Sequence, residues 1–82
     1  MENHFVYVLK SLKNNSLYKG RTTDLNRRLE EHNSGKTTYT KSGIPWEIVY
    51  FETINNLEDA IKREKYFKTA AGRRLLKSKI II

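Results

Sequence analysis

The sequence predicts a small α+β domain: a three-stranded antiparallel sheet flanked by helices, in the order β-β-α-β-α-α. Three observations carry this expectation. Residues 5–10, 17–21 and 46–53 are short stretches rich in aromatic and β-branched side chains, the composition of strands. Residues 22–24 and 55–56 offer Thr, Asp and Asn as helix caps, each ahead of apolar residues at helical spacing. The 82 residues fit one domain, expected to span 1–82. A chain of this size buries only about 60% of its unfolded surface, so its core is limited.

Phe5 to Lys10 forms the first strand. It is apolar on both faces, with Phe5, Tyr7 and Leu9 alternating with Val6 and Val8, as a central strand should be. Lys13-Asn14-Asn15-Ser16 is a polar turn whose asparagines tolerate left-handed geometry. Leu17 to Arg21 completes a hairpin. A helix begins near Asp24 and ends near Asn33, where Ser34-Gly35 supplies the stop. Lys36 to Pro45 reads as a polar loop. Trp46 to Thr53 is the third strand, expected beside the first. Asn55-Asn56 caps a helix from about Leu57 to Thr69, Gly72 breaks or kinks it, and Arg73 to Lys79 makes a third short helix. Ile80-Ile81-Ile82 has no assignment from pattern.

Composition narrows the function classes. There is no cysteine, so disulfide frameworks and thiolate metal cages are excluded. No apolar run approaches the roughly 18 residues of a transmembrane helix. The segment MENHFVYVLK lacks the basic and apolar regions of a secretory signal. Together these fit a protein of a reducing, cytoplasmic compartment. The net charge is +7, and residues 62–79 carry all of it: Lys62, Arg63, Lys65, Lys68, Arg73, Arg74, Lys77 and Lys79 against Glu64 alone. Elsewhere eight bases balance eight acids. A block of this kind is either a solvated helix face or a polyanion surface. It lacks the broad apolar face that a membrane-surface helix needs.

Glu64 is the residue that fits the core pattern least. At 100° per residue it falls within the face formed by Leu57, Ala60, Ile61 and Phe67, with Tyr66 opposite. A carboxylate there needs a cation or several donors. Two readings stay open: a buried ion pair with an arginine, or a metal-binding or catalytic carboxylate. In the first helix Arg28 and His32 stack one turn apart beside the Leu25–Leu29 core side, with Arg27, Glu30 and Glu31 directed elsewhere. Tyr7 and Tyr18 lie on neighbouring strands, and Gly20 clears space on the Tyr18 face for something to approach the backbone. Arg21 closes the second strand. These groups could gather on one side of the sheet. Guanidinium groups bind phosphate and a carboxylate can hold a divalent cation, which suits phosphodiester hydrolysis.

The ordered set resembles the GIY-YIG nuclease superfamily, in particular its small stand-alone bacterial, excision-repair-nuclease-like group. Phe5-Val6-Tyr7 stands for the first motif and Tyr18-Lys19-Gly20 for the second. Arg21, Arg28, His32 and Glu64 follow in order, and the likeness covers essentially the whole chain. It implies a divalent-metal-dependent DNA endonuclease, structure-selective and tied to DNA repair or processing. Mg²⁺ or Mn²⁺ would be its metal, bound by Glu64. Tyr7 would be the general base, Tyr18 would position water or phosphate, Arg28 would stabilise transition-state charge, and His32 would orient or relay protons. Arg21 could lower the pKa of a nearby phenol. DNA would lie against Arg21, Lys62, Lys65, Lys68, Arg73, Arg74 and Lys77. No membrane partner or small-molecule cofactor is implied. Three positions depart from the family pattern. Phe5 replaces a glycine, Lys19 replaces an apolar residue, and no asparagine follows Glu64. A second class, a nucleic-acid-binding module of the same fold, stays open beside the enzyme. A third, an RNA-binding protein, rests on the basic block and exposed aromatics alone.

Overall fold

The computed structural model describes residues 3–80. Strands β1 (His4–Ser11), β2 (Leu17–Thr22) and β3 (Trp46–Ile54) form one antiparallel sheet in the order β2-β1-β3. The apolar strand is thus central, as its two-sided pattern requires. Helix α1 (Leu25–Asn33) lies between β2 and β3 in sequence. Helices α2 (Leu57–Phe67) and α3 (Ala70–Lys79) follow β3.

The sheet separates two cores. Val6 and Val8 face Ala60, Phe67, Leu76 and Ile80, with Leu17 and Tyr50 beside them. Tyr7, Leu9 and Trp46 face the other way, against Leu25, Leu29, Tyr18 and Ile48. Hence α1 covers one face and α2 with α3 the other, giving three layers. Register decides which face each β2 residue joins. Val6 pairs with Arg21, Tyr7 with Gly20, Val8 with Lys19 and Leu9 with Tyr18. Lys19 and Arg21 therefore project toward α2 and α3, whereas Tyr18 projects toward α1.

Local signals set the element ends. Asp24 accepts from the Arg27 amide and Asn56 from the Asp59 amide, so both expected caps operate. Asn15 takes a left-handed φ of 64° in the hairpin turn. Ser11 Oγ holds that turn, accepting from the Lys13 and Asn14 amides while donating to the Gly43 carbonyl.

Several details differ from the expectation. The polar loop contains a 3-10 helix at Thr38–Gly43. Helix α2 stops at Phe67 rather than Thr69, and the break lies at Lys68-Thr69 rather than Gly72. Thr69 caps α3 by accepting from the Gly72 amide. Gly72 sits inside the first turn of α3 for want of room: a Cβ there would lie 1.9 Å from the Tyr66 carbonyl oxygen. A glycine read as a breaker is thus what lets two helices meet at a tight corner. Tyr66 packs against the core, not opposite it, and Leu57 at the first turn of α2 is 47% exposed. Ile80 docks in the core beneath α3; residues 81 and 82 of the isoleucine run lie outside the described residues.

Candidate active site

Tyr7 is the centre of the site. Strand β1 carries it toward α1, where its side chain is 2% exposed. Its hydroxyl lies 3.0 Å from His32 Nε2. Opposite it on β2 stands Gly20, where a Cβ would fall 2.6 Å from the Tyr7 hydroxyl. The space at Gly20 is therefore filled by the phenol of Tyr7, and does not serve approach from outside as the pattern suggested.

His32 occupies the last turn of α1 and is fully buried. Its Nδ1 is 2.7 Å from Thr40 Oγ1, and that hydroxyl donates onward to the Thr37 carbonyl at 3.4 Å. Thr40 thus accepts from Nδ1–H, which leaves the Nε2 lone pair to accept the Tyr7 proton. Burial, with Arg28 nearby, pushes the His32 pKa below its ordinary value, so the ring is neutral at pH 7. Sequence reasoning missed Thr40. It lies eight residues past His32 in a polar segment, and no periodic pattern marks it.

Arg28 sits one turn before His32 and is half-buried. It pairs with Glu31 at 3.0 Å, so Glu31 belongs to the site's rim and does not point away. Burial pushes the Tyr7 phenol up, while hydrogen bonding to Arg28 and the guanidinium's charge pull it back. The net direction is upward, so Tyr7 is a protonated phenol at neutral pH. The guanidinium that acts on it is Arg28, and not Arg21 as expected.

Glu64 faces the other layer. Its Oε1 lies 3.1 Å from Arg21 Nε and its Oε2 3.1 Å from Lys68 Nζ. The arginine it meets is Arg21 of β2, in a partly solvated pair. The groups also do not all lie on one side of the sheet. Tyr7, Tyr18, Arg28 and His32 are on the α1 face, and Arg21 and Glu64 are on the α2 face. The Glu64 carboxylate is near enough to raise the Tyr7 pKa. Tyr18 completes the cluster, with its ring centroid 5.0 Å from His32 and 6.4 Å from Tyr7.

The basic block divides. Arg63 is structural: it makes two bonds to Glu52, at 2.8 and 3.0 Å, and stacks over Phe67 and Tyr66. Lys62 pairs with Glu58 on the exposed side of α2, and Lys65 is exposed on the same helix. Arg73, Arg74 and Lys77 border one shallow hollow on α3. Lys68 and Arg73 also reach Tyr18 and Lys19 at the edge of the site.

The model of the GIY-YIG catalytic domain matches residues 3–77. The chain belongs to the GIY-YIG family. A UPF0213 protein of Staphylococcus epidermidis is 44% identical over 78 residues, covering 94% of each chain. The UPF0213 protein YazA of Bacillus subtilis is 45% identical over 67 residues, covering 80% of this chain and 67% of its own. The solution NMR structure of the UPF0213 protein BH0048 from Bacillus halodurans matches with a TM-score of 0.56 at 35% identity. It covers 93% of this chain and 83% of the other. This GIY-YIG chain is therefore similar to small bacterial proteins, and its three-stranded sheet with flanking helices is the family fold. Among the described residues no helix is long and apolar enough to cross a membrane.

Proposed function

We propose that this GIY-YIG protein is a DNA endonuclease that hydrolyses phosphodiester bonds with the help of one divalent cation. The observation that carries the reading is the Tyr7 phenol, held at 3.0 Å from a neutral, buried His32 and beside the Arg28 guanidinium. A tyrosine that stays protonated at neutral pH is a poor base alone. Here its oxygen can take the proton of an attacking water while its own proton passes to His32 Nε2. The phenol then needs no prior ionisation. Arg28 meets the charge that develops on the phosphoryl oxygens. Tyr18 orients the water or the scissile phosphate. Arg21, Lys68 and the α3 cations hold the strand.

The donor set fits Mg²⁺ or Mn²⁺ in one specific manner. No three His, Cys, Asp or Glu side chains among the described residues are placed to close around an ion. Such cations are commonly bound through one or two carboxylates, keeping several waters and taking substrate phosphate oxygens. Glu64 would supply the carboxylate, exchanging Arg21 and Lys68 for the ion. A bound cation would polarise the phosphodiester and lower the pKa of its water. This reading favours branched, nicked or single-stranded DNA, because among the described residues there is no zinc module and no added recognition helix for reading a long sequence. A cytoplasmic role in DNA repair or processing goes with this reading.

One observation favours a second reading, a nucleic-acid-binding module of the same fold. Both Glu64 oxygens are already neutralised by cations. Incubation with end-labelled branched and single-stranded DNA, with Mg²⁺, with Mn²⁺ and with chelator, separates the two. Metal-dependent products support the endonuclease. Retained binding without any product, in either metal, leaves the binding module.

A further inference from the structure

A charged hollow beside the site has an unusual wall. It measures about 460 Å³ and is lined by Leu17, Tyr18, Lys19, Tyr39, Lys68 and Arg73, within the range of about 300–1,000 Å³ that takes small ligands. Three of its six residues are cations, and none is an acid. Lys19 is half-buried, and desolvation together with the charges of Arg73 and Lys68 makes its own charge harder to hold. Lys68 already meets Glu64, but Lys19 and Arg73 have no acid partner among the described residues, and this excess of positive charge favours an anion. The aromatic side of the wall is equally unusual. Tyr39 is 82% exposed, yet the adjoining Thr40 is buried and bonded to His32. The 3-10 helix thus fixes the backbone of Tyr39 while leaving its ring in solvent, tilted 6.0 Å from the Tyr18 ring.

We propose that this hollow binds one unpaired nucleotide of single-stranded DNA, with its base stacked on Tyr39 and its phosphate among Lys19, Lys68 and Arg73. A base inside a duplex has both faces covered by its neighbours. Only a base released from pairing and stacking can lie on a protein ring in this way. Tyr18 belongs both to the hollow and to the cluster around Tyr7 and His32, so the nucleotide sits directly beside the proposed scissile phosphate. The inference rests on the nucleic-acid reading above and extends it to a substrate class.

Binding is measured by fluorescence anisotropy with chelator present, so that no cleavage occurs. The probes are a labelled deoxythymidine oligomer, an abasic oligomer of equal length, a duplex and a uridine oligomer. Tyr39→Ala should weaken the thymidine oligomer by about 5- to 150-fold. It should leave the abasic and duplex affinities and the melting temperature unchanged, while Tyr39→Phe should bind as wild type. Arg73→Gln should reduce the salt dependence for all the strands, whereas Tyr39→Ala should not. Equal losses on abasic and duplex DNA, or no loss on the thymidine oligomer, would overturn the stacking site. Tighter, Tyr39-dependent binding of the uridine oligomer would overturn the assignment to DNA. If these patterns hold and no metal supports cleavage, the nucleotide site stands and the endonuclease reading alone fails.

Discussion

Replacing Gly20 by alanine should both destabilise the domain and disable its site. The alanine Cβ would lie 2.6 Å from the Tyr7 hydroxyl, 2.7 Å from Cζ of the same ring and 3.1 Å from Tyr18 Cε2. Ordinary contact begins near 3.4 Å, so the phenol must retreat by about 0.8 Å. It has little room, being 2% exposed and tied to His32. Overpacking of this kind costs about 1–3 kcal/mol, and distorting the Tyr7–His32 bond adds about 0.5–1.5 kcal/mol. For a domain of this size each kcal/mol lowers the melting temperature by about 4–8 °C. A fall of at least about 6 °C is therefore expected. If Tyr7 is the proposed proton acceptor, displacing its oxygen by nearly 1 Å should also slow cleavage by about 100-fold. Melting curves and single-turnover cleavage on the same variant provide the test. Because the cost arises from one contact, it should shrink in a Tyr7→Val background. A Gly20→Ala protein that melts within 2 °C or so of wild type would refute this reasoning and restore the idea that Gly20 leaves space for substrate.

Three further outcomes are expected. Glu64→Gln should abolish metal-dependent cleavage yet change stability by no more than about 1 kcal/mol, because its partners Arg21 and Lys68 are largely solvated; cleavage at wild-type rate would remove Glu64 from the metal site. Tyr7→Phe should keep the fold and slow cleavage by about 10²–10⁴-fold, and an unchanged rate would exclude the phenol as proton acceptor. His32 titrates below its ordinary 6.5 in the folded protein, so the unfolded chain takes up the proton first as pH falls. Its contribution to stability is full above about pH 6.5 and is lost as pH drops toward the folded-state value. Melting temperatures at pH 7.5 and 5.5 should therefore differ more in wild type than in His32→Gln, and equal differences would show that His32 does not titrate this way.

The strand order, both N-caps and the central place of β1 were legible because each rests on a local signal: alternation, a capping side chain, an apolar strand. The stacking of Arg28 and His32 on one stripe of α1 was legible too, since four-residue helical spacing fixes it. What pattern could not reach were contacts between elements. Glu64 meets Arg21 because register puts Arg21 on the face of Val6, and no sequence period reports register. Thr40 and Gly72 were missed or misread for the same reason. One is defined by a hydrogen bond to another element, the other by the space left between two helices.

The segment from Lys36 to Pro45 looks like the natural place for the chain to vary in length, being polar and lying between regular elements. Its fastenings argue otherwise. Asn33 accepts from the Trp46 amide and donates to the Trp46 carbonyl, the Trp46 indole donates to the Thr40 carbonyl, and Ser11 Oγ donates to the Gly43 carbonyl. Adding even one residue between Thr40 and Trp46 would break several of these bonds together and release the hydroxyl that steers His32. Insertions that diversify relatives of this protein should therefore avoid this stretch. They should collect where the backbone carries no such duty, such as the exposed corner at Asn55 between β3 and α2. A surface that looks permissive to length change is, on this scaffold, the one most closely tied to the position of a single proton.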